Sequence, residues 1–187
     1  MSPIVPPAVV LYTALAVVAT FVSRWTGRTV PIFSSPQAIV TEMSLGLALA
    51  AVILLVTSQL GRFRFGERLE RALAETIGPL ETRDVLILAL VSGFGEELFF
   101  RGMLQPLVGY AIASVLFGIL HVGPSRAFLP WTLFALAGGF LLGGIVELTG
   151  ALGPAILAHF VVNFVNLGRL SARARELSVP VGAGSGV

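Results

Sequence analysis

Five ionisable residues stand inside otherwise apolar stretches of this 187-residue chain: Glu96, Glu97, Arg101, His121 and His159. Side chains four residues apart share one face of a helix. Glu97 and Arg101 have that spacing, as do Phe117 and His121, and His159 and Asn163. Glu97 and Arg101 can therefore neutralise each other as a structural ion pair. Glu96, rotated by about 100° on the same helix, is left free for chemistry. If the three segments converge, one site holds a carboxylate, two imidazoles and a carboxamide. The rest of the composition narrows the chemistry. The chain has no cysteine, which excludes a thiolate nucleophile, a Cys-ligated zinc and an iron–sulfur cluster. All 12 basic residues are arginine, which excludes a Ser–Lys dyad and Schiff-base catalysis. Any histidine chemistry falls on His121 and His159, the two histidines present.

The elements that must position these groups are membrane helices. Apolar residues make up 56% of the chain and charged residues 12%, about half the share of a soluble domain. Mean hydropathy is +0.93. A net charge of +2, from 12 basic and 10 acidic residues, provides no basic patch for nucleic acid. A crossing helix needs about 20 mostly apolar residues, and the sequence predicts six, an all-α integral membrane bundle around a polar cavity. They run from about Val9 to Ser23, Ile39 to Leu60, Val85 to Leu104, Leu107 to His121, Phe128 to Leu148 and Leu152 to Leu170. A charged side chain at the bilayer centre costs about 2.5–3.5 kcal/mol, so Glu96, Glu97 and Arg101 must face inward and pair, or line a wet cavity. Glu42 and Glu147 fall near span ends and are expected at the interface. Gly138, Gly139, Gly143 and Gly144 give the fifth span a small-residue packing face.

Arginine placement orients the chain. Nine arginines (Arg62, Arg64, Arg68, Arg71, Arg83, Arg126, Arg169, Arg173 and Arg175) collect on the side of both termini, against Arg24 and Arg28 on the other. The positive-inside rule then predicts a multi-pass protein of the inner membrane with both termini cytoplasmic. The same count places the Gly95–Glu96 region near the inner end of the third span, with access from the cytoplasm. Three parts follow: residues 1–84 with two spans and an amphipathic inner-surface segment, 85–170 with the chemistry, and 171–187 as a mobile tail.

Glu96-Glu97-Leu98-Phe99-Phe100-Arg101 matches an EExxxR motif, Phe117 to His121 an FxxxH motif, and His159 to Asn163 an HxxxN motif. In this order, each inside a predicted span, the three resemble the CPBP family of intramembrane endopeptidases, the CAAX-protease and bacteriocin-processing (Abi) group, and a bacterial member of it. The resemblance covers about Val85 to Leu167 and implies peptide-bond hydrolysis. Glu96 would be the general base and His121 would hold the attacking water. His159 and Asn163 would stabilise the oxyanion. Glu97 and Arg101 would fix the geometry from behind, and Phe117 would restrict His121. Two forms stay open. Glu96 activates water with no metal, the favoured form, or Glu96, His121 and His159 ligate zinc with water in the open position.

The expected partners are the lipid bilayer and a membrane-anchored protein or peptide: a prenylated tail, a bacteriocin precursor or a C-terminal sorting signal, as in the myxosortase branch. A non-catalytic scaffold or immunity protein would have no need for Glu96 or Asn163. An ion transporter would use the same residues as a relay, but the sequence has no inverted repeat to support one.

Overall fold

The computed structural model describes residues 1–179, and these contain helices and no strand. Helix α1 spans Val5–Thr26, with Pro6 and Pro7 in its first turn, where a missing N–H costs nothing. It ends at Gly27, whose φ of 69° gives a left-handed cap. Helix α2 is Ile39–Leu60, and α3, Arg64–Ile77, is the expected amphipathic segment, burying Leu69 and Ala74. Helix α4 (Thr82–Glu97) runs without a break into a π-helical stretch, Leu98–Leu104, and a short α5, Gln105–Val108. Then come α6 (Tyr110–Ile119), α7 (Leu129–Thr149) and α8 (Gly153–Ser178).

Four segments are long and apolar enough to cross a membrane: Val5–Thr26, Pro36–Leu60, Arg126–Thr149 and Gly153–Ser178. The two other expected spans take different forms. The third extends beyond both predicted ends, as α4, the π stretch and α5 follow one another from Thr82 to Val108. The fourth is much shorter than predicted. Gly109, at φ 91°, breaks the chain before Tyr110, and a turn at Leu120–His121 stops it, so α6 has ten residues. That is about 15 Å, half the hydrocarbon thickness.

The sixth expected span, α8, also departs from expectation. It continues past Leu170 to Ser178, because Ser171 is buried and bridges to Leu80: its hydroxyl accepts from the Leu80 N–H and donates to the Leu80 carbonyl. The expected mobile tail is therefore helix from 171 to 178, and residues 180–187 lie outside the described residues.

Helices α1 and α4 run parallel. Ser2 donates to Asp84 at one end, and Ser23 donates to the Gly102 carbonyl at the other. Helix α8 runs back against α4 and α2, with Gly46 set against Pro154 where a Cβ would come within 2.6 Å of backbone oxygen. Ser2, Leu80 and Ser171 consequently share one end of the bundle with α3. On the α7 small-residue face, Gly139 abuts the Ser114 carbonyl and Gly143 abuts Tyr110, whereas Gly138 faces open space. Glu42, expected at the interface, is 3% exposed and accepts from the Ser34 N–H and hydroxyl. Glu147 is exposed and accepts from Gln105.

Candidate active site

Three helices deliver the site. Helix α4 carries Glu96 and Glu97 side by side, both buried. Glu96 stands about 21 Å along the helix from Thr82, so it lies deep in the bundle rather than near the inner end as the charge count implied. The shortness of α6 matters here: its chain turns at Leu120 and His121 and leaves His121 beside Glu96. Helix α8 enters from the opposite end and presents His159 one and a half turns from its start.

Glu97 and Arg101 form the expected pair at 2.9 Å, with neither side chain more than 1% exposed. The pair does more than neutralise itself. The same Glu97 oxygen lies 2.7 Å from His159 Nδ1. A carboxylate only accepts, so this contact makes His159 Nδ1 the protonated nitrogen. Arg101 also donates to the Gly139 carbonyl at 3.1 Å and sits 4.4 Å from the centroid of the Phe117 ring. It thus ties α4 to α6, α7 and, through Glu97, α8.

His121 is fixed in a similar way by a different group. Its Nδ1 lies 2.7 Å from the Phe117 carbonyl, which again accepts, so Nδ1 carries the hydrogen. The ring is held between Phe117, with centroids 4.5 Å apart, and Trp131 at 5.4 Å. With both Nδ1 atoms engaged, both Nε2 atoms turn to Glu96 Oε2, at 3.7 Å from His121 and 4.0 Å from His159. That carboxylate oxygen is buried and has no hydrogen-bond partner among the described residues. Asn163, a turn below His159, donates from Nδ2 to the Ser92 hydroxyl at 2.9 Å, and its second N–H is uncommitted.

The structure thus brings together Glu96, His121, His159 and Asn163, with Glu97, Arg101 and Phe117 behind them. Ser92, Trp131 and Tyr12 also belong to this neighbourhood and were missed in the sequence. A spacing signal existed for Ser92, which is four residues before Glu96 on the same helical face. Trp131 and Tyr12 reach the site only through tertiary packing.

A cavity of about 720 Å³ opens below these groups. Its walls are mainly apolar side chains of α1, α2, α7 and α8, and α3 forms its end with Leu69 and Leu73. The cavity therefore runs from Glu96 toward the end of the bundle that holds Ser2 and Ser171. Among the described residues, no group of three or more His, Asp or Glu is disposed to hold a metal ion.

Residues 79–165 match the model of a family described as type II CAAX prenyl endopeptidase Rce1-like. An uncharacterized protein of Bacillus subtilis (strain 168), YpbD, is 40% identical over 83 residues, a match covering 43% of this chain and 42% of that relative. The chain spans about two-fifths of the length of the relative it matches. No solved structure matches.

Proposed function

We propose, from the premise that residues 79–165 belong to the Rce1-like family of CAAX endopeptidases, that this chain is an intramembrane endopeptidase using a glutamate-activated water. The observation that carries the proposal is the unpartnered Glu96 Oε2 facing two Nε2 atoms at 3.7 and 4.0 Å. Those separations are too long for direct hydrogen bonds and suit a single water shared by the three groups.

The chain of events follows from the donors present. Glu96 takes a proton from the water as its oxygen attacks the scissile carbonyl, and His121 Nε2 keeps that water oriented. Negative charge then grows on the carbonyl oxygen. The uncommitted Asn163 N–H donates to it. His159 can donate from Nε2 when it carries a second proton, and Glu97, 2.7 Å away on the Nδ1 side, stabilises that imidazolium. The tetrahedral intermediate collapses as the proton held by Glu96 moves to the leaving amine. Arg101 holds Glu97 in place for that role and exchanges no proton itself.

The apolar walls favour a substrate attached to or embedded in the membrane, and the reading extends to trimming a C-terminal tail or anchor. With the arginine-rich end cytoplasmic, the cavity faces the inner side of the membrane and both described ends of the chain lie there. No metal is needed for these steps.

The test compares protein termini, by mass spectrometry, in membranes of cells carrying the native chain or Glu96→Gln. Uncut precursors accumulate with Glu96→Gln. Identical termini in the two would overturn the protease reading in favour of a scaffold.

A further inference from the structure

We infer that Tyr12 is a positioning residue for Glu96: its phenol donates to the carboxylate and keeps Oε2 turned toward the two imidazoles. The inference rests on the reading of Glu96 as the base and adds a residue from α1, outside the three motifs and outside the family match.

Three independent features place Tyr12 there. First, α1 and α4 pack closely at this level. A Cβ on Gly95 would lie 2.6 Å from the Tyr12 carbonyl oxygen and 2.9 Å from its Cβ, so Gly95 is what lets Tyr12 sit beside the residue that follows it, Glu96. Second, Ile4, Ala8 and Tyr12 recur every four residues and together form the α1 wall of the cavity. Tyr12 is the polar member of that stripe, and it lines the same cavity as Glu96. Third, it is half-buried, whereas Phe21 and Trp25, further along α1, are exposed to the surroundings. A tyrosine serving as an interfacial anchor would project outward with those rings. Around Glu96 the neighbouring groups are then Tyr12 from α1, His121 from the turn after α6, His159 from α8, and the Glu97–Arg101 pair beside it in sequence.

The chemistry needs such a group. A carboxylate has two equivalent oxygens and rotates about its last bond. As a base it must present one oxygen to the water throughout. A donor on the other oxygen, itself fixed by helix packing, stops that rotation without taking the proton, since an ordinary phenol gives up its hydrogen only in strong alkali.

Two measurements test this on the full chain in lipid nanodiscs. The sequence holds two tyrosines, Tyr12 and Tyr110. Ring-labelled tyrosine therefore yields two Cζ resonances, assigned by Tyr110→Phe, which leaves Tyr12 untouched. Tyr110 is an internal control, because its hydroxyl donates to the Phe140 carbonyl at 2.7 Å. Glu96→Gln is expected to displace the Tyr12 resonance and leave that of Tyr110 in place; an unmoved Tyr12 resonance overturns the contact.

The second measurement follows cleavage of a precursor purified from Glu96→Gln cells. Tyr12→Phe should lower kcat by about ten- to hundredfold, the value of a hydrogen bond to a charged group, with KM unchanged. Should Tyr12→Phe fail to accumulate, Tyr12→Leu provides the same comparison. Loss of cleavage in Glu96→Gln with native turnover in Tyr12→Phe would overturn this role alone. Retained cleavage in Glu96→Gln would overturn the base reading and this role with it.

Discussion

Replacing Arg101 by methionine tests whether the guanidinium holds the bundle together or merely decorates it. Arg101 bonds Glu97 at 2.9 Å and the Gly139 carbonyl at 3.1 Å, and lies over the Phe117 ring at 4.4 Å. Both partners of the ion pair are at most 1% exposed, so solvent screening does not discount it. Methionine fills much of the volume but leaves Glu97 as a buried charge facing His159 alone. Orphaning one member of a buried pair costs about 3–5 kcal/mol. For a chain of this length that corresponds to a fall in Tm of about 6–20 °C. The two tryptophans report the transition by fluorescence in detergent micelles. Adding Glu97→Gln removes the stranded charge, and the double variant should regain more than half of the loss. A single variant that loses less than about 1 kcal/mol, as an exposed pair would, refutes the reasoning. So does a double variant no more stable than the single one.

Other outcomes follow from the same geometry. Ser92→Ala frees the Asn163 amide it orients and should slow cleavage about five- to tenfold, the worth of one ordinary hydrogen bond, without altering the melting curve by more than a few degrees. Gly95→Ala should prevent accumulation of the folded chain, checked by size-exclusion profile, since its Cβ would lie 2.6 Å from Tyr12 backbone oxygen. Dialysis against a chelator should leave cleavage intact; loss of activity restored by zinc would instead favour Glu96, His121 and His159 as ligands. Because the sequence has no cysteine, single cysteines introduced at Glu75 and Ser34 map orientation directly. Impermeant thiol reagents should reach position 34 from outside the cell and position 75 only after lysis.

The pieces legible in the sequence are those governed by local periodicity. The Glu97–Arg101 pair follows from four-residue spacing on one helix, and the amphipathic α3 from the recurrence of Leu69 and Leu73 among charges. Depth was not legible. An arginine count reports which side a loop lies on, not how far along a rod a given residue stands, and Glu96 was placed too near an end for that reason. The length of α6 was hidden as well: an apolar run through Leu107 to His121 contains a glycine whose positive φ breaks the helix, and hydropathy gives glycine no such weight. Contacts between helices, such as His159 with Glu97 or Asn163 with Ser92, join residues 62 and 71 positions apart, and no periodic pattern carries that information. The same holds for Ser171, whose bond to Leu80 draws the last helix well beyond its apolar segment.

The two imidazoles are anchored by unlike means, and this divides what mutation can alter. His159 owes its ring orientation to a side chain, so a single codon change at Glu97 can loosen it, weaken its polarisation or swap its acceptor. His121 leans on the Phe117 carbonyl, a group every residue type supplies. No substitution at position 117 deletes that acceptor; only a shift of the helix can. One histidine of the site is thus open to gradual tuning residue by residue, while the other is inherited with the backbone.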